Sequence, residues 1–286
     1  MNKVPERIMI ASHPARDDDG QLAKHIASYL RENGVQVEIK DSVYDAAIVE
    51  GIKKSQVDLL IAIGGDGTML RAGHICAPFQ VPILGINAGS FGFLMEVEAD
   101  EWREKLDILL CGDYRLEDRM MLEAVHFRGE KVLGRFDVLN EVVVCRGRMV
   151  RPIRLHAYVD GYLLSSYVAD GLIAATPTGS TAYALAAGGP VMPPEMRNIL
   201  IMPIAPHLSM DRAIILPLGS CVSFVVSTDH EAVMSIDGKS PVDLDDRDRI
   251  NVSVQDYAAK FIRFQDPGYF HRNLNKYMEQ NPSKGK

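Results

Sequence analysis

Chemistry in this chain is best served by the run Leu59-Leu60-Ile61-Ala62-Ile63-Gly64-Gly65-Asp66-Gly67-Thr68. Five apolar residues stop at four turn-formers, three of them glycine. Without Cβ atoms in the way, a phosphate can approach the main-chain amides of such a turn closely. Asp66 is out of place beside an anion unless a metal or a substrate proton stands between them. The pattern therefore points to phosphoryl transfer. Gly64, Gly65 and Gly67 would bind phosphate, and Asp66 would be a base or a metal partner. The other reading is a tight strand-to-helix turn in which Asp66 is only a helix cap. Arg71 falls on the first turns of the following helix, where it could reach a phosphate or lie on the surface.

A second run, Asp170-Gly171-Leu172-Ile173-Ala174-Ala175-Thr176-Pro177-Thr178-Gly179-Ser180-Thr181-Ala182-Tyr183, joins a short strand to a hydroxyl-rich turn. A helix is expected to begin near Ser180 or Thr181, with Thr178, Ser180 or Thr181 as its cap. Its first amides would be open to an anion or to ring nitrogens of a base.

Together these runs resemble the NAD kinases. That family carries a GGDG turn, a DGLIxxTPTGSTAY run and an Asn-Glu pair between them, here Asn140-Glu141. The likeness runs from Ile61 to about Gly238 and includes Gly85-Ile86-Asn87-Ala88-Gly89 and Phe91-Gly92-Phe93-Leu94. The resemblance implies ATP-dependent phosphorylation of the 2′-hydroxyl of the adenosine ribose of NAD, giving NADP, with Asp66 as the base. It implies a divalent cation, expected to be Mg2+, without naming protein ligands for it. The NAD-binding set it implies is Asp66, Gly67, Arg71, Asn140, Glu141, Arg151, Asp170, Thr181, Ala182, Tyr183, Ala184, Leu185, Ala186 and Ala205. Within it, Tyr183 would stack on adenine, Glu141 would take ribose hydroxyls, and Asp170 would serve the nicotinamide end. Where the family usually reads Asp-Gly-Gln, this chain reads Asp237-Gly238-Lys239, which puts a ligand contact at Lys239 in doubt. A lipid or sugar kinase of the wider GGDG group would lack the second run. A non-catalytic NAD(P) sensor would not need Asp66.

Other clusters read as structural. Gly238-Lys239-Ser240 lacks the earlier glycine of a phosphate loop, since Val233 stands there. Asp243, Asp245, Asp246 and Asp248 lack calcium-loop spacing and read as a solvated turn. His156, His207 and His230 show no paired ligand spacing, and Arg146, Arg148 and Arg154 have no match in the family. Cys76, Cys111, Cys145 and Cys221 form no CxxC pair and read as buried free thiols.

The elements that must position these residues are legible in the hydrophobic pattern. Strands are expected at 8–11, 35–39, 59–63 and 81–86, alternating with helices at 21–33, 44–52, from 68, and 99–110. That alternation implies a parallel α/β sheet, with the GGDG turn at a strand's carboxyl end, where such sheets bind ligands. From Tyr114 on, strand patterns dominate, at 121–127, 132–145, 153–159, 162–168, 199–205, 214–216, 222–227, 250–254 and 261–264. The expectation is an α/β domain over 1–115 and a mostly antiparallel β-rich, NAD-binding domain over 116–267. A C-terminal helix over 268–280 would return to the first domain, and residues 281–286 would fray.

The net charge of −7 argues against nucleic-acid binding, so any polyanion must be held by placed amides, a few cations and a metal. No signal peptide or membrane-spanning stretch is legible, and a cytoplasmic location is expected. A homodimer or homotetramer is implied by the resemblance alone.

Overall fold

Glycines punctuate this chain where strand must become helix. A computed structural model describes residues 2–13, 17, 20–54, 56–89, 92–207 and 210–279. Phe91, the helix end at residue 280 and the tail 281–286 lie outside the described residues.

The chain divides into two units, residues 1–118 with 257–286, and residues 119–256. In the first unit β1 (Arg7–Ser12), β2 (Gln36–Lys40), β3 (Leu59–Gly64) and β4 (Ile83–Asn87) form parallel pairs in the order β2-β1-β3-β4. All six residues of β3 are buried. Helices on both faces force such a strand to be apolar throughout rather than alternating. Helix α1 (Gln21–Glu32) buries Ala23, Ile26, Ala27 and Leu30, a helical stripe that packs with Ile8, Ile10, Leu59 and Ile61. Asp17 accepts from the Leu22 and Ala23 amides and so satisfies the opening of that helix. Helix α2 (Ala46–Lys53) is capped by the Asp45 carboxylate on the Ala47 amide. Helix α3 (Asp66–Cys76) begins at Asp66 itself, two residues before the sequence suggested, and α4 (Trp102–Leu110) follows a short strand β5 (Val97–Glu98). Helix α6 (Tyr269–Glu279) falls within this unit.

The second unit is antiparallel. One six-stranded sheet has the order β13-β12-β11-β8-β15-β16. Its strands are β8 (Glu141–Arg146), β11 (Gly171–Ala175), β12 (Asn198–Ile204), β13 (Ile214–Pro217), β15 (Ala232–Ile236) and β16 (Val242–Leu244). Strands β9 (Ile153–Val159), β10 (Tyr162–Ala169) and β14 (Val222–Ser227) pair antiparallel, as do β6 (Arg115–Arg128) and β7 (Lys131–Val138). Strand β17 (Arg249–Arg263) starts beside β14 and ends in the first unit, where Phe261 meets Ile83 of β4. Period-two alternation gives β8, β11 and β12 two buried faces. Val142, Val144, Leu172, Ala174, Ile199 and Ile201 enter the main core. Val143, Ile173, Ala175, Leu200 and Met202 face Ala184 and Met192.

Several expected elements differ. The single strand expected over 132–145 breaks at Leu139-Asn140, because the Asp237 carboxylate draws three successive amides into a turn there. The two strands expected at 250–254 and 261–264 are one, since the polar residues between them keep the strand conformation while half-exposed. β15 and β16 were not anticipated; β16 overlaps the aspartate cluster. That cluster is also not wholly solvated. Asp243, Asp245 and Asp246 are exposed, but Asp248 is fully buried. Asp248 accepts from Arg128, from the Asp245 amide and from buried His126 at 2.8 Å. Burial alone would raise its pKa, but Arg128, the Asp245 amide and His126 hold it down at about 2. Among the cysteines, all four are free, but Cys111 and Cys221 are exposed, contrary to expectation, because Cys111 lies just after α4 and Cys221 just before β14 (Val222–Ser227), outside both elements. No helix among the described residues is long and apolar enough to cross a membrane.

Candidate functional site

The first unit presents the glycine turn at the carboxyl end of β3. An added Cβ at Gly64 would lie 2.2 Å from Thr68 Oγ1, so only glycine lets the helix start this close to the strand. At Gly65 and Gly67 an added Cβ would meet nothing within 4 Å, so open space lies against the main chain there. Thr68 and Met69 both donate to the Gly65 carbonyl in this first turn, which leaves the Gly67 amide without an intrahelical acceptor and available to an anion. Asp66 is half-buried in that first turn. Its Oδ2 accepts from the Phe93 amide at 2.9 Å and its Oδ1 from the Leu94 amide at 3.0 Å. Arg71 lies on α3 with its guanidinium 5.7 Å from the Tyr44 ring, and its Nε is buried without an acceptor. Asn87, in the motif the sequence singled out, orders the turn after β4 by donating to Glu98 at 2.9 Å and accepting from the Gly89 amide. A cleft of about 530 Å³ beside it is lined by Asp17, Gln21, Asn87, Glu98 and Asp100. Its carboxylates make it unsuited to a phosphate.

The second unit gathers the other sequence-predicted residues. Asp237, with φ 49°, accepts from the amides of Leu139 at 2.8 Å, Asn140 at 2.8 Å and Glu141 at 2.9 Å. The Asn140 carbonyl receives the Thr176 amide. An added Cβ at Gly179 would lie 2.1 Å from that carbonyl oxygen, which explains a glycine at this point of the run. Glu141 starts β8 on the same face as Val143, toward the Tyr183 segment, and is 5 % exposed. Its Oε2 is buried and unpartnered. Burial, then the nearby Asp237 carboxylate, push its pKa up to about 8, against the opposing Tyr183 amide. Glu141 is therefore a neutral acid near pH 7, able to donate as well as accept. The sequence suggested a carboxylate that only accepts.

The hydroxyl-rich turn does not cap a helix as expected. Thr176 Oγ1 donates to Leu139 O, Ser180 Oγ to Pro177 O and Thr181 Oγ1 to Thr178 O, while buried Thr178 accepts from Arg119. The helix they lead to, α5 (Tyr183–Ala186), has four residues, and its Tyr183 amide points to Glu141. No helix terminus for an anion results. Tyr183 itself is 44 % exposed, half-buried Thr181, Ala182 and Leu185 and exposed Ala186 flank it, and Ala184 packs under the sheet.

Asp170 sits 2.9 Å from Arg146 Nε in an ion pair whose angle is not that of a hydrogen bond. Arg146 was a residue the sequence left without a role; only the pairing of β8 with β11 brings it to Asp170. Arg151 is exposed in the β8–β9 loop. Ala205 follows β12 with φ 44°, a left-handed conformation uncommon for alanine and doubly so before a proline. Lys239 closes the β15–β16 turn, its carbonyl receiving Ser235 Oγ. His156 pairs with Ser166 across two strands and His230 with the Glu231 carbonyl.

Profiles of the ATP-NAD kinase N-terminal domain and of its C-terminal domain match residues 45–114 and 139–264. A protein of Moorella thermoacetica called NAD kinase is 38 % identical over 96 % of this chain and 90 % of its own length. One of Caldanaerobacter subterraneus, also called NAD kinase, is 35 % identical over 93 % and 96 %. The chain belongs to the ATP–NAD kinase family. Its activity is that of an NAD kinase, with ATP as the phosphate donor. In fold it is similar to yeast NADH kinase complexed with NADH, with TM-score 0.84, 24 % identity, and 98 % and 89 % of the two chains covered. It is also similar to an NAD kinase of Archaeoglobus fulgidus in complex with ATP, with TM-score 0.76, 26 % identity, and 96 % and 99 % covered.

Proposed function

We propose that this chain transfers the γ-phosphoryl group of ATP to the 2′-hydroxyl of the adenosine ribose of NAD, with Asp66 taking the hydroxyl proton. The ribose oxygen bonds to phosphorus, the bond from phosphorus to the β–γ bridging oxygen breaks, and NADP and ADP result. The observation that carries this reading is the Asp66 carboxylate, aimed and held at the first turn of α3 beside glycines whose main chain is open. A ribose hydroxyl is a poor nucleophile, and removal of its proton as it attacks is worth about 10²–10⁴-fold.

Dinucleotide recognition falls to the second unit in this reading. Asn140 and Glu141 bind polar edges and ribose hydroxyls, with Glu141's orphaned Oε2 supplying one unmet bond. Tyr183 stacks on adenine, flanked by Thr181, Ala182, Ala184, Leu185 and Ala186. Asp170 serves the nicotinamide end, and Ala205 offers its strained main chain. Gly64, Gly65 and Gly67 serve phosphate, Gly67 and Arg71 also contact the dinucleotide, and Arg151 takes a dinucleotide phosphate.

A divalent cation belongs to the proposal. No group of three His, Cys, Asp or Glu side chains suited to a metal occurs among the described residues. That donor set fits a Mg2+ carried on the phosphates of ATP, which keeps few protein ligands. Such an ion neutralises charge on the donor phosphates. A homodimer or homotetramer, a cytoplasmic location, and no nucleic-acid or membrane partner complete the reading.

The test is to incubate the purified protein with ATP, Mg2+ and NAD and assay NADP with an NADP-specific dehydrogenase. Asp66→Asn preserves size and one of the two oxygens that accept from the Phe93 and Leu94 amides. Its kcat is expected to fall about 10²–10⁴-fold while NAD binding persists. Unchanged turnover in the folded variant would remove Asp66 from the chemistry.

A further inference from the structure

Three buried charges in the first unit have no part in the proposed transfer. Arg263, at the end of β17, has a side chain 6 % exposed and lies 3.3 Å from Glu96 and 3.1 Å from Glu117, themselves 5 % and 4 % exposed. Glu96 Oε1 also accepts from the Phe264 and Gln265 amides, and Arg115 reaches Glu117 at 3.1 Å. Burial of this kind costs several kcal/mol per ion, so the cluster is weak evidence for stability.

The guanidinium has a further bond. Arg263 Nη1 donates to the Leu94 carbonyl at 3.2 Å. On the other side of that residue, the Leu94 amide donates to Asp66 Oδ1, and the preceding Phe93 amide donates to Oδ2. The segment is thus tied at one end to the ion cluster and at the other to the carboxylate. Gly92 makes the approach possible: a Cβ there would lie 2.1 Å from Asp66 Oδ1 and 2.6 Å from Cγ. Its backbone lies outside the left-handed region, so the effect of alanine would come from the methyl group rather than from strain.

We propose that the Arg263–Glu96–Glu117 cluster positions the Asp66 carboxylate through the Gly92–Leu94 segment, making Arg263 and Gly92 positioning residues for phosphoryl transfer. This rests on the reading of Asp66 as the base. Two amides, one on each oxygen, fix both the rotation and the tilt of the carboxylate. Arg263 fixes the peptide that carries one of them.

Arg263→Met would strand two buried carboxylates and can fail by unfolding. Gly92→Ala and Arg263→Lys are the working variants, read by kcat, NAD dissociation constant, Tm, and hydrogen exchange at the Phe93 and Leu94 amides. For Gly92→Ala the expected result is a kcat about 10²-fold lower with an NAD dissociation constant changed by less than about threefold, the mark of a displaced reacting group. Faster exchange at Phe93 and Leu94, with Tm retained, completes it. Arg263→Lys keeps charge but loses the fork, so a smaller fall in kcat and a smaller loss of protection are expected. A folded Gly92→Ala protein with wild-type kcat, or with a lower kcat and unchanged exchange at both amides, overturns the proposal. Unchanged kcat and exchange in Arg263→Lys overturns the arginine's part. Asp66→Asn separates this from the base reading. Full turnover there, with the Gly92→Ala amides still deprotected, sinks the base and leaves the carboxylate's support intact.

Discussion

Glu141 shows how far one side chain can depart from its ordinary chemistry. A carboxyl with pKa about 8 in the folded protein and 4.5 otherwise holds its proton more tightly when folded. Stability from this group is fully present below about 4.5 and is lost as pH rises through about 8, because the unfolded state sheds the proton first. Glu141→Gln keeps the shape and removes the titration. Its Tm is expected to match wild type near pH 4.5 and to exceed it increasingly toward pH 8, measured by thermal melts across that range. A constant offset would contradict the buried-acid account. Tyr183 makes the opposite kind of case. Its amide serves Glu141 while the residue is 44 % exposed, so the side chain is what remains for a ligand. Tyr183→Phe should keep most NAD affinity, and Tyr183→Ala should lose about 1–3 kcal/mol, the worth of stacking a base on an aromatic ring. Titration calorimetry checks both, and equal losses would assign the role to the hydroxyl.

Between elements, the decisive part is the turn that separates β7 from β8. Three amides in succession are buried at or near Asp237, and an unmet buried donor costs about 1–3 kcal/mol. Asp237→Ala is expected to lower stability by at least about that much and to raise KM for NAD well above any change in KM for ATP, since Asn140 and Glu141 lose their register. Denaturant melts and steady-state kinetics together check it. A drop in stability with both KM values unchanged would make the turn structural only. Gly179 acts on the same turn from the other side, by approaching the Asn140 carbonyl without a Cβ.

At the level of the whole molecule, charge sets the terms. A chain of net charge −7 must handle two polyphosphates, and its described residues contain no cluster of three metal-binding side chains. Turnover should vanish in EDTA and return with added Mg2+ or Mn2+, followed by NADP formation. Full turnover in chelator would place the neutralising charge on the protein's own cations, with Arg71 and its acceptor-free Nε the first to examine.

Local pattern was enough to determine much of this protein. Five apolar residues running into Gly64-Gly65-Asp66-Gly67 specify a buried strand and an open turn, because adjacent residues make both. Strand–helix alternation specifies a parallel sheet for the same reason. The run from Asp170 to Tyr183 and the Asn140-Glu141 pair carried the family. Tertiary structure alone decided what joins distant positions. Asp237 meets Glu141 across 96 residues, Phe93 meets Asp66 across 27, and Arg263 meets Leu94 across 169. No periodicity encodes such pairs. The hydroxyls of the second run looked like helix caps because capping is a local rule, but Ser180 and Thr181 turn back to the Pro177 and Thr178 carbonyls, and Thr178 is taken by Arg119, 59 residues away. Asp248 looked solvated among its acidic neighbours because burial depends on Arg128 and His126, over a hundred residues away. Glu141 reads as an anion in any sequence, and only the apolar sheet and the second carboxylate around it make it an acid that keeps its proton.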